Sequence, residues 1–192
     1  MMNTQRPRIL AVAGSMRSGS FNRKLLLVAV HAAEKGGAEV DLVDLRELAL
    51  PLYDGDLERS QGLPEGAVRF KERIARADGL LIASPEYNHS VPGTFKNAID
   101  WASRPPGDVF ENKSAALMGA SPGGFGAVRS LLHLRQILTG LGVWLVPSQV
   151  TVSRAHQAFG PEGEINDPEI HAEVVGLVDL LIRQSRRLKE DR

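Results

Sequence analysis

Apolar, strand-like runs alternate with helical periods along the whole of this 192-residue chain. The runs are 8–14, 39–44, 79–84, 115–120 and 143–146, the last resuming at 149–152. Between them apolar residues recur at helical spacing: Leu25, Val28, Ala29 and Ala32, then Phe95, Ala98, Ile99 and Ala102. Leu131, Leu134, Leu138 and Leu141 mark a further helix, Ile170, Val174, Leu177 and Leu181 a C-terminal one, and Phe70, Ile74 and Ala77 one before the third strand. Strands that are apolar throughout must be buried on both faces, and strands separated by helices pair in parallel. The pattern therefore predicts an α/β fold with a parallel sheet covered on both sides.

Five such strands make a flavodoxin-like or short Rossmann-like sheet, read here as one domain over 1–192. In either fold, ligands sit beyond the C-terminal strand ends, near the topological switch point. The loops at that edge are 14–22, 85–93 and 121–126, and the unusual residues of the sequence concentrate in them. No repeat and no low-complexity tract interrupts the pattern. The segment 49–66, rich in Pro, Gly and charge, reads as a long crossing loop over the cleft or a partner subunit.

The first loop, Gly14-Ser15-Met16-Arg17-Ser18-Gly19-Ser20-Phe21-Asn22, runs from a buried strand directly into a helix. Unpaired backbone N–H groups and the positive end of a helix dipole meet there, which stabilises an anion. Hydroxyls on Ser15, Ser18 and Ser20, the Asn22 amide and the permanent charge of Arg17 suit a phosphate. The spacing excludes a P-loop, because Ser20-Phe21 stands where Lys-Ser/Thr is required after the second glycine. It also excludes a dinucleotide fingerprint: position 16 is Met, so Asp44 lacks the glycines a ribose-binding acid accompanies.

Lys and Arg number 23 and Asp and Glu 23, so formal net charge is zero. That balance disfavours a nucleic-acid surface, a polybasic membrane face and a strongly charged docking partner. With 0 cysteines, disulfides, thiolate metal sites and a cysteine nucleophile are excluded. No apolar run approaches the roughly 18 residues that span a bilayer. The apolar run after Met1–Arg8 is too short for a signal peptide, and a cytoplasmic protein is expected.

The second loop, Pro85-Glu86-Tyr87-Asn88-His89-Ser90-Val91-Pro92-Gly93, carries one aromatic, one acid and two prolines. Tyr87 offers a ring to a planar heterocycle, exposed amides can read ring heteroatoms, and the prolines limit the entropy lost on binding. The third, Ser121-Pro122-Gly123-Gly124-Phe125-Gly126, has three glycines before a helix, so a ligand can approach the backbone closely.

Together, Gly14-Ser15, Arg17, Ser20 and Asn22, then Pro85-Glu86-Tyr87-Asn88, Ser90, Pro92-Gly93 and Lys96-Asn97-Ala98-Ile99-Asp100-Trp101, resemble the NADPH-dependent FMN reductase family. Within it the chain is similar to the chromate/quinone reductase and azoreductase-like branch, over about residues 8–152. The resemblance implies a flavodoxin-like three-layer α/β/α sandwich, noncovalent FMN, NADPH or NADH as reductant, and a homodimer or homotetramer. Carried over by position, Ser15, Arg17, Ser20, Phe21 and Asn22 hold the FMN phosphate end. Pro85, Glu86, Tyr87 and Asn88 line the isoalloxazine ring, mainly through the main chain, and Ser121, Gly123 and Gly124 approach from the side where the nicotinamide docks. The sequence departs from the family pattern at His89 and at Ala127, where glycine is frequent.

The chemistry is then the cofactor's: hydride from the nicotinamide to FMN, followed by ping-pong reduction of a small acceptor. Acceptors of this kind are quinones, free flavins, azo compounds, nitroaromatics and metal oxyanions. An electron carrier between proteins is the alternative, but such carriers benefit from an acidic docking face. A phosphate-ligand module without redox function fits the second loop poorly. His89 reads first as a solvent-facing residue, with proton donation to a reduced quinone or a subunit contact as its functional alternatives. His31 and His133 read as helix filler, and His156 and His171 have no metal-like spacing. Lys96, Asp100 and Arg104 read as an exposed, salt-bridged helix face. Trp101, off its helix's apolar stripe, is expected at a subunit interface.

Overall fold

The computed structural model describes residues 6–190; the first five residues of the stretch read for a signal peptide lie outside them. Strands β1 (Arg8–Ala13), β2 (Glu39–Val43), β3 (Gly79–Ala83), β4 (Ser114–Ala120) and β5 (Trp144–Val152) form one parallel sheet in the order β2-β1-β3-β4-β5. This is the flavodoxin-type order, with its switch point between β1 and β3. The helices are α1 (Phe21–Lys35), α2 (Gly55–Gln61), α3 (Glu65–Arg76), α4 (Gly93–Ala102), α5 (Val128–Gly140), α6 (Ala155–Ala158) and α7 (Pro168–Glu190), with a 3-10 turn at Leu45–Leu48.

Alternate residues of each central strand feed two separate cores, as the period of two requires. Ile9, Ala11, Leu81, Ala83, Ala116 and Met118 pack under α1 and α7. Leu10, Val12, Leu80, Ile82, Ala115 and Leu117 face α3, α4 and α5. The expected three-layer α/β/α sandwich with five parallel strands is what the chain forms.

The fifth strand is continuous where the sequence suggests an interruption, yet its pairing does break: Ala115 faces Leu145 and Leu117 faces Gln149. Pro147, which lacks an N–H, sits in that bulge, the place a sheet tolerates it. Arg135 of α5 fills the gap, donating to the carbonyls of Val146 (2.8 Å), Pro147 (3.0 Å) and Ser148 (3.2 Å).

Two expectations change here. The segment 49–66 is not all loop, since it contains α2 and the start of α3. Asp54 caps α2, its side chain accepting from the Asp56 N–H at 2.8 Å, but α2 buries no residue and so shows no apolar stripe. Trp101 is 0% exposed, so it lies within its own subunit and not at an interface. Its Nε1 and the Asn97 amide both donate to the Pro51 carbonyl at 2.8 Å, and Tyr53 meets its ring edge-on at 5.0 Å. The crossing segment thus covers α4, on the side away from the stripe that faces the sheet. Lys96 and Asp100 pair on α4 as expected, at 2.6 Å, but Arg104 lies past its end and donates Nε to the Asp100 carbonyl at 3.0 Å instead of joining the ion pair.

Candidate active site

β1 ends at Ala13, and the Gly14 N–H donates to the Ala83 carbonyl at 2.8 Å, fastening the first loop to the end of β3. A Cβ on Gly14 would lie 3.1 Å from the Phe95 ring and 3.3 Å from Ser84 Oγ, so glycine allows this close approach. The chain then passes through exposed Met16, Arg17, Ser18 and Gly19 to Ser20, the N-cap of α1, whose Oγ accepts from the Arg23 N–H at 3.4 Å. Among the described residues the Arg17 guanidinium makes no hydrogen bond or ion pair, whereas Arg23 beside it is paired with Asp44 at 3.0 Å. The charge available at this helix start is therefore that of Arg17.

Two residues expected at the phosphate have other employment. The Asn22 carboxamide is 3% exposed and bound at both ends to Ala120, donating to its carbonyl at 2.8 Å and accepting its N–H at 2.9 Å. It ties the first turn of α1 to the end of β4, and so the first loop to the third. The Phe21 ring is stacked on Phe159 at 6.0 Å in the α1–α7 core.

The second loop is a tight hairpin. Tyr87 and Ser90 exchange N–H···O bonds of 3.0 and 3.1 Å, with Asn88 (φ 48°) and His89 (φ 65°) in the left-handed region. Positive φ at both central residues is the type I′ geometry, which Asn accepts readily. Tyr87 stays exposed and its hydroxyl lies 3.4 Å from Ser15 Oγ, bringing the first and second loops together. Ser90 Oγ lies 2.9 Å from His133 Nδ1, so His133 is no helix filler but the anchor of the hairpin on α5.

Pro85 is buried, and Glu86 turns its side chain toward α5, leaving only its main chain to the loop. Arg129 grips Glu86 Oε1 through Nε (2.7 Å) and Nη2 (2.6 Å), while Oε2 accepts the N–H groups of Arg129 (3.0 Å) and Ser130 (3.4 Å). Those are first-turn N–H groups of α5, whose own N-cap, Ala127, provides no side-chain acceptor. Burial by itself would raise the Glu86 pKa; the Arg129 guanidinium and the two N–H groups outweigh it and hold the carboxyl below its ordinary value. Ala127 itself has φ 70°, a conformation glycine adopts freely and one that costs this chain roughly 1 kcal/mol.

The third loop is latched to the corner after β5. Ser121 donates its N–H to Val152 and accepts that of Ala155, and Arg154 N–H donates to Gly123, each at 3.0 Å. Ser121 Oγ accepts the Gly123 N–H at 3.0 Å, and an added Cβ on Gly124 would meet nothing within 4 Å. Gly126 (φ 55°) has no such freedom, because a Cβ there would lie 2.9 Å from Thr151. Residues 15, 17, 87, 123 and 124 therefore share one edge, with Ser20 buried at the helix start and Asn22 and Glu86 behind it as ties.

A hydroxyl loop with an unpaired guanidinium at a helix start, beside a preset aromatic hairpin and a glycine loop, defines a nucleotide-binding protein of the flavodoxin-like class. Residues 7–157 match the NADPH-dependent FMN reductase family, to which the chain belongs. An NAD(P)H-dependent FMN reductase of Pseudomonas aeruginosa is 41% identical over 183 residues, covering 95% of this chain and 97% of that one. A quinone reductase of Escherichia coli (strain K12) is 39% identical over 139 residues, 72% of each chain. Among solved structures, the flavoenzyme NAD(P)H:(acceptor) oxidoreductase of Paracoccus denitrificans superposes with TM-score 0.80 at 33% identity, covering 94% of this chain and 98% of that one. No helix among the described residues is long and apolar enough to cross a membrane, and none of their His, Asp and Glu side chains cluster as a metal site.

Proposed function

We propose that the three loops bind FMN and that the protein is an NAD(P)H-dependent oxidoreductase passing electrons to small acceptors, quinones foremost. The observation that carries this reading is Arg17, an unpaired cation among hydroxyls at the start of α1. The residues fit the cofactor: a cation and hydroxyls for its phosphate, and an open backbone at Gly124 for a flat ring. When bound, FMN supplies two-electron chemistry, with hydride in from the nicotinamide and out to the acceptor by turns.

The chain's own part is placement. Arg17, Ser15 and the first N–H groups of α1 hold the phosphate, with Ser20 fixing the helix start. The main chain of Pro85 to Asn88 lines the ring, and the N–H groups of Glu86 and Asn88 stabilise negative charge there. The hairpin is held rigid by Glu86 on α5 and by Ser90 on His133, so little ordering remains for the binding step. Asn22 keeps the phosphate and ring loops in register.

We further read the enzyme as a cytoplasmic homodimer or homotetramer. An open groove of about 650 Å³ between α4 and α5 supports the second point. Ile137 and Leu141 line it beside the Lys96–Asp100 pair, so a second copy would meet an apolar strip rimmed by charge. Light scattering of the purified protein decides this; a monomer at micromolar concentration sinks it.

Flavin-stripped protein titrated with FMN and with riboflavin tests the cofactor reading. Charge-assisted bonds of roughly 1.5–3 kcal/mol each make FMN bind at least about tenfold more tightly than riboflavin. Equal affinities would refute the phosphate site.

A further inference from the structure

Phe125 stands out on the third loop because 65% of its surface is exposed. The ring is nevertheless held. The Arg129 guanidinium lies over it, 4.7 Å from the centroid, and that guanidinium is fixed by Glu86, whose side chain is only 9% exposed. After Phe125 the chain is pinned by Gly126 against Thr151, while before it Gly124 is open. One face of the phenyl ring is thus clamped from the flavin loop, and the rest is offered to solvent beside the glycines.

An exposed aromatic held by an arginine that a buried carboxylate anchors is a poor solution for solubility and a good one for stacking. We propose that Phe125 is the surface on which a planar aromatic acceptor, a quinone, stacks before it is reduced. Arg129 acts on it as a positioning residue, keeping the ring upright on an otherwise open loop. Planar rings gain dispersion and quadrupole contacts on Phe125, whereas compact inorganic oxidants gain none, so the residue sorts acceptors by shape. The proposal rests on the reading that the three loops hold FMN.

The test uses holoenzyme, with Phe125→Ala, Phe125→Leu and Phe125→Tyr beside wild type. Flavin content and anaerobic reduction by NADPH are recorded first; a wild type without FMN, or one NADPH leaves oxidised, overturns the cofactor reading itself. Given both, reduced enzyme is reoxidised by 1,4-benzoquinone and by ferricyanide, and hydroquinone binding to the oxidised form is measured by calorimetry. Loss of the stacked ring in Phe125→Ala and Phe125→Leu is expected to weaken hydroquinone binding and raise the benzoquinone KM about tenfold. Ferricyanide reoxidation stays at the wild-type rate, and Phe125→Tyr behaves as wild type. Equal losses with both acceptors, full function in Phe125→Leu, unchanged benzoquinone kinetics, or loss of FMN from Phe125→Ala would each overturn the assignment.

Discussion

Glu86 and Arg129 lie 43 residues apart, yet their side chains meet at 2.6 Å, and the same carboxylate accepts the first N–H groups of α5. One residue beside the Tyr87–Ser90 hairpin is therefore also the cap of the helix that follows the glycine loop.

Replacing Glu86 with Gln removes the charge from these bonds and is expected to cost about 2 kcal/mol. For a chain of this size that lowers Tm by about 4–8 °C at pH 7. Because the folded carboxyl titrates below its ordinary value, its contribution is complete above about pH 4.3 and is lost as acid protonates the folded group. Thermal melts from pH 7 to pH 3 should show the gap between wild type and Glu86→Gln closing at the acid end. A gap independent of pH would mean that the charge is irrelevant.

Arg17→Ala should weaken FMN retention by about ten- to a hundredfold, the loss of one charge-assisted contact. Turnover per bound flavin should hardly change, because the proposed binding mode sets Arg17 against the phosphate and away from the ring. Flavin fluorescence released on dilution reports the first quantity and kcat normalised to absorbance the second.

Asn22→Ala leaves the buried Ala120 N–H and carbonyl without partners, at about 1–3 kcal/mol each. Urea unfolding should move to a clearly lower midpoint with an unchanged slope. FMN affinity should also fall, since the first and third loops lose their tie.

Trp101→Phe deletes the bond to the Pro51 carbonyl and should cost about 1 kcal/mol. Its oligomeric state should match wild type, because the indole is buried inside its own subunit. A shift in sedimentation would restore the interface role that the structure denies it.

The fold was largely legible because its signals are local. Apolar strands, helical stripes and the 14–22 loop each announce themselves within a dozen residues, and the strand ends fell within a residue or two. What escaped is long-range. Nothing in the spacing couples Glu86 to Arg129 or Ser90 to His133, since neither pair shares an element. Spacing misplaces Trp101 because a helical stripe assumes one burying face, whereas 51–53 supply a second. Asn22 and Phe21 sit in a legible motif, but a motif does not say which way a side chain turns; one reaches back to Ala120 and the other to Phe159. The α2 helix leaves no apolar stripe in the sequence because it buries nothing.

The most direct test of the account is the visible spectrum of the purified protein, followed through anaerobic NADPH addition and then a quinone. Flavin bands should be present, bleach with the nicotinamide and return with the quinone. A protein that carries no flavin and takes up none from added FMN would contradict the account at its root.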